Sequence, residues 1–258
     1  MGIEFPRMRL VLSGEIPKNA MKYALMQPYF FPYVGYFALI AATDYWMVFD
    51  KAQYMKRGWI ARNRVLRPNG GWQYITVPVR KHPRTAEIHE VEITSNNYWR
   101  SKLPACLRHY RKRAPYFEQV MTLLEDCLSE LPAAISELNV RCLEKTCSYL
   151  GIPFRYDFLS TLDLDLEDIQ APGDWAWKIG SQIGGTHYLN PSGGRGWYLR
   201  EDFEAVGIAL EFLSIRPLRY DQGSAEFEPN LSIIDVAMFN SPEQIRALLQ
   251  EVDRERIV

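Results

Sequence analysis

Cations, amides and aromatic rings crowd the stretch DKAQYMKRGWIARNR, residues 50–64. Lys56, Arg57 and Arg64 suit a phosphate or carboxylate, and an arginine presents its donors as a two-pronged fork. Tyr54 and Trp59 offer flat faces for a base or a sugar. Gln53 and Asn63 supply amides that orient a polar ligand. Asp50 heads the stretch as the candidate general base, with Lys56 as a second candidate catalytic group. A solvated basic strand pair has the same composition, and the stretch alone favours that reading until its place after a parallel strand, facing the aromatic loop, is considered.

A second cluster lies in YLNPSGGRGWYLREDF, residues 188–203. Gly193 and Gly194 let the backbone approach an anion closely, and the helix expected just beyond would point unpaired N–H groups at it. Asn190, Ser192 and Arg195 add donors. A plain glycine-rich connector is the alternative, since neither a Walker loop nor a GxGxxG fingerprint is present. His187 stands next to this loop as a candidate proton carrier, or as an ordinary strand residue. The third cluster is MQPYFFPYVGY, residues 26–36. Here Tyr29, Phe30, Phe31 and Tyr33 sit among Pro28, Pro32 and Gly35, which break regular structure, while Gln27 adds an amide. Loops of this kind are where sites are built.

These clusters need elements to position them. YALM, residues 23–26, and YWMVFD, residues 45–50, read as buried strands around a helix in YFALIAAT. Strand, loop, helix, strand of this length is a βαβ unit with parallel strands, and ligands gather beyond the carboxyl ends of such strands. The aromatic loop and the basic stretch follow two of those ends, so both are expected on one sheet edge. WQYITVPV and IHEVEIT read as further strands. Residues 98–151 change to helical spacing, with Pro104 expected to bend or interrupt the first helix and Gly151 placed as a cap. Strand and helix then alternate again to the end, where Ser241, Pro242 and Gln244 mark a helix start. The expected fold is α/β, a Rossmann-like, mostly parallel sheet with flanking helices. Residues 1–20 read as a disordered leader, 21–97 as an N-terminal α/β part, 98–151 as a helical subdomain, and 152–258 as the α/β part that completes the domain.

Composition narrows the function. A net charge of −1 lacks the cationic surface that general nucleic-acid binding requires. No apolar run approaches the roughly 20 residues that span a bilayer, and the N-terminal segment is a poor secretory signal. Cys106, Cys127, Cys142 and Cys147 lack CxxC spacing and read as reduced structural thiols, which suits a cytoplasmic protein. His82, His89, His109 and His187 show no metal-ligand spacing, so no metal is expected. No motif demands a cofactor, which leaves its identity unknown.

With these residues in view, the sequence resembles the WbqC-like family of bacterial proteins. The resemblance rests on MQPYFFPYVGYFALIAATD, FDKAQYMKRGWIARNRV, YLNPSGG and FEPNLSIIDVAMFN, and spans residues 21–240. Family motifs fall on Gln27, Tyr33, Gly35, Gln53, Lys56, Gly58, Trp59, Asn63 and Arg64. Position 51 is Lys where many relatives are expected to carry Asp, which removes an acidic pair. The resemblance implies a setting in O-antigen and related glycoconjugate gene sets, where some members are labelled glycine or amino-acid transferases. The layout is also similar to the HIGH-motif nucleotidyltransferase superfamily, with Gly35 matched and Tyr36 in place of the second histidine. Together these imply a transferase or ligase in bacterial surface-polysaccharide biosynthesis, acting on an activated sugar or amino-acid-type substrate that is nucleotide- or carrier-linked. A non-catalytic scaffold or ligand-binding protein derived from a nucleotide-binding fold stays open, as does the oligomeric state.

Overall fold

Strand Lys22–Met26 (β1) is the first element in a computed structural model that describes residues 20–96, 98–215, 218–223 and 226–256. The expected leader, apart from Ala20, lies outside the described residues. Helix Val34–Ala41 (α1) is apolar all round and buried along nearly its whole length, as a helix sandwiched in a core must be. It returns the chain to Tyr45–Val48 (β2), every residue of which is buried. The basic stretch then ends in Arg62–Leu66 (β3), which forms an antiparallel hairpin with Trp72–Thr76 (β4).

Three helices follow, Tyr98–Leu107 (α2), Phe117–Leu128 (α3) and Ile135–Leu150 (α4). The helix continues through Pro104 and passes at Arg108–Lys112 into a tighter 3₁₀ turn. Gly151 ends α4 in the left-handed conformation. The remaining elements are Tyr156–Phe158 (β5), Asp174–Ile183 (α5), His187–Pro191 (β6), Arg200–Ala205 (α6), Ala209–Ile215 (β7), Ile233–Phe239 (α7), Pro242–Gln250 (α8) and Val252–Arg256 (β8). Ser241 and Gln244 close the expected capping box at the start of α8.

The main sheet runs β5-β2-β1-β6-β7-β8, parallel except for the edge strand β8. Counted along the chain, its strands stand in the order 3-2-1-4-5-6, with the direction of winding reversed between β1 and β6. That is the Rossmann arrangement, and the crevice lies at the carboxyl ends of those two strands. Alternate residues of each strand serve the two faces. Tyr23, Leu25, Tyr45, Met47, Tyr188 and Phe212 pack against α5 and α6. Ala24, Trp46, Val48, Leu189 and Leu213 face the larger core with α1 and the helical block. The buried residues of α2, α3 and α4 belong to that same core.

One sequence expectation is corrected. IHEVEIT is a 3₁₀ turn, Ile88–Glu90, followed by isolated bridges, because Glu87 and Glu90 close a capping box on each other's backbone. The end of the basic stretch is paired as a strand with β4, as the strand-pair reading has it.

Candidate functional site

The loop between β1 and α1 is held one carbonyl at a time. Tyr36 Oη donates to the Gln27 carbonyl at 2.5 Å, and Asn139 Nδ2 of α4 donates to that of Pro28 at 2.8 Å. Asn63 Nδ2 of β3 reaches the Phe30 carbonyl at 3.0 Å, and Ser232 Oγ, the N-cap of α7, reaches that of Phe31 at 2.7 Å. The Ile233 N–H takes the Pro32 carbonyl at 2.8 Å, while Phe30 N–H donates to Trp59 O at 3.0 Å. Such bonds satisfy five carbonyls of a segment that has no ladder of its own. Phe30 and Phe31 are thereby driven into the core, edge to face at 4.9 Å. Phe31 is kept at φ +40, where a bulky residue is strained.

Tyr29 and Tyr33 are left facing a hollow of about 340 Å³, lined also by Pro32, Trp59, Asn63, Arg64 and Asn230. Burial raises the pKa of both tyrosines, so their hydroxyls remain neutral donors. Arg64 supplies the charge. Its guanidinium lies 5.7 Å from the Trp59 ring and 5.2 Å from that of Trp72, and its Nη2 donates to the Asn230 carbonyl at 3.0 Å. Its Nε is buried without a hydrogen-bond partner, and among the described residues no carboxylate pairs with it. Asn63 Oδ1 accepts from the Arg64 N–H at 2.8 Å and so fixes the strand at that point. Non-glycine residues with positive φ are Phe31, Arg57 and Asn230 among the described residues. Two of them flank the hollow and the third precedes Trp59. Backbone strain of this kind collects at functional sites, where the surroundings hold it in place.

The structure therefore brings together Tyr29, Tyr33, Trp59, Asn63 and Arg64. Gln27 and Gly35 stand at the two ends of the aromatic loop, Gly35 buried within α1. The other expected residues lie outside the hollow. Lys56 and Arg57 are exposed in the turn before Trp59, where the Arg57 carbonyl accepts from Arg62. Gln53 donates to the Arg84 carbonyl at 2.6 Å. Asp50 is buried, with Oδ1 accepting from the Ser160 N–H at 2.9 Å and Oδ2 from the Ser160 hydroxyl at 2.5 Å. His187 begins β6, at the strand end opposite Asn190, and its Nδ1 meets the Thr186 hydroxyl at 2.9 Å. Asn190 is buried and donates to Tyr198 Oη at 2.9 Å. Ser192, Gly193, Gly194 and Arg195 form the 3₁₀ turn Ser192–Trp197. Arg195 lies over the Phe212 ring at 5.1 Å, and a Cβ at Gly194 would stand 2.5 Å from Asn190 Nδ2.

Sequence reasoning missed Asn139, Asn230, Ser232 and a buried carboxylate, Asp235. Asp235 accepts from Tyr110 Oη, from Tyr220 Oη at 2.5 Å and from Gln222 Nε2 at 3.3 Å. Burial nevertheless pushes its carboxyl up to about 6, with the hydrogen bonds from Tyr110, Tyr220 and Gln222 opposing the rise. For Asp235 the signal was a lone carboxylate inside the apolar run SIIDVAMF, whereas Asn139 stands among other polar residues in SELNVRC and carries no such mark.

The WbqC-like protein family model matches residues 27–247, from the aromatic loop through α7 into α8. An uncharacterized protein of Mycobacterium tuberculosis (strain ATCC 25618 / H37Rv), Rv1507c, is 31% identical over 231 residues, covering 87% of this chain and 97% of its own. No solved structure matches the chain. The matched span contains every residue that pins the loop and lines the hollow, and the chain belongs to the WbqC-like protein family.

Proposed function

We propose that the protein is a transferase or ligase that binds an activated sugar or amino-acid-type substrate, nucleotide- or carrier-linked, in bacterial surface-polysaccharide biosynthesis. The observation that carries the reading is Arg64. A half-buried guanidinium with an unpartnered Nε and no described carboxylate beside it is costly unless a counter-charge arrives. A phosphate or carboxylate of the ligand supplies that charge, with Tyr29 and Tyr33 as neutral donors and Trp59 as the wall for a ring. The glycan context is what the motif resemblance implies, and the Rossmann strand order supports a ligand beyond the carboxyl ends of the strands. Asp50, Lys56 and His187 do not line the hollow, and the reading gives them no step in it.

A thermal-shift screen against nucleotides, nucleotide sugars, amino acids and acyl carriers tests it. At least one ligand is expected to stabilise the wild type, and Arg64→Ala should weaken that ligand about tenfold or more, as loss of a charge-assisted hydrogen bond does. Full affinity in Arg64→Ala would reject the site. Failure of every ligand, with stable capture of a defined biosynthetic partner, would favour the non-catalytic scaffold.

A further inference from the structure

Tyr33 and Asn230 have two sides. Beyond them lies a second hollow of about 320 Å³, whose walls include Leu218, Arg219, Tyr220 and Phe227. Both volumes fall at the lower end of the range for small-molecule sites. We infer that this second hollow is a separate compartment for an anionic group carried on an apolar or aromatic body, so that the protein holds two ligands at once across the wall of Tyr33 and Asn230. The inference rests on the reading of the Arg64 hollow as a ligand site and extends it to a two-substrate arrangement.

Three observations carry it. First, the two hollows repeat one pairing of cation and ring. Arg219 stands 5.7 Å over the Phe227 ring, as Arg64 stands over Trp59, although Arg219 is exposed where Arg64 is half-buried, and no described carboxylate pairs with it. Second, the backbone of the dividing wall is held. Tyr33 forms a backbone bridge with Ser232, and Asn230, at φ +55, is tied through its carbonyl to Arg64. A ligand in one hollow therefore meets a pinned backbone rather than a loop that swings aside. Third, the far wall is anchored. Tyr220 donates to Asp235 and accepts from Gln222 Nε2 at 3.1 Å, and Gln222 holds the Glu228 carbonyl at 2.9 Å and its N–H at 2.8 Å. The segment carrying Arg219 is thus clamped onto α7, and preorganisation lowers the cost of binding there.

Isothermal titration of the full chain with phenyl phosphate, a ring bearing a dianion, reads both compartments. Two equivalents are expected to bind the wild type. Arg219→Ala should remove one and leave the other, and Arg64→Ala should do the converse, with the thermal unfolding midpoint of each variant near that of the wild type. A single equivalent that Arg219→Ala leaves intact overturns the second compartment while the Arg64 site stands. Loss confined to Arg219→Ala, with Arg64→Ala binding normally, rejects the first reading instead. No binding in the wild type overturns both.

Discussion

Asp50 shows how a residue's type and its position can point to different roles. Its carboxylate ends a strand near the expected crevice, yet both oxygens accept from one partner, Ser160, and the side chain is almost wholly buried. We expect Asp50→Ala to lower stability by about 1–3 kcal/mol in urea unfolding, because the Ser160 N–H and hydroxyl then lose their acceptor. If Asp50 were instead a general base, the same change would abolish turnover and leave the unfolding curve in place. Of the residues singled out by chemistry, Trp59 and Arg64 meet because β3 follows directly from the turn that carries Trp59. That much is legible from spacing. Asn190 and Gly194 were equally suggestive in sequence, but their proximity to one another reflects close packing, with no room for a Cβ between them.

At the level of elements, the buried strands and α1 were legible because their apolar runs are unambiguous. The edge strand β8 was not, since VDRER carries too few apolar residues to show a period. Nor does any local pattern show which distant side chain caps which carbonyl. Asn139 is the case that matters most, joining Pro28 O and Ile60 O, each at 2.8 Å. Asn139→Ala should cost about 2–4 kcal/mol in chemical denaturation, two buried acceptors being left without donors. Leu in its place should do no better, which separates lost hydrogen bonds from lost volume. The clamp between α7 and the segment bearing Tyr220 gives a pH signature. The folded-state value of Asp235 is about 6 against an ordinary 3.8, so the folded protein holds the proton more tightly than the unfolded chain. The resulting penalty is full above about 6 and disappears as pH falls toward 3.8. It amounts to about 3 kcal/mol at most. Stability of the wild type relative to Asp235→Asn should therefore rise between pH 7 and pH 4, as read by urea midpoints; a flat difference would show that Asp235 keeps its ordinary affinity for protons.

For the whole molecule, the sheet sets the distances on which everything else depends. Tyr23 sits at its centre, in register with Tyr45 on one side and Tyr188 on the other, and its hydroxyl donates to the Ala176 carbonyl of α5 at 2.9 Å. That contact needs Gly180, where an added Cβ would stand 1.9 Å from the Tyr23 oxygen. Gly180→Ala should push α5 off the sheet and cost about 1–3 kcal/mol, a drop of several degrees in the thermal midpoint. The pinned aromatic loop has a further consequence for synthesis. Phe31 is made early, yet the hydroxyl that fixes its carbonyl belongs to a residue 201 positions later. A chain still on the ribosome carries all the rings of the loop long before it can shape them, since the donors to the Phe31 and Pro32 carbonyls come only with Ser232 and Ile233.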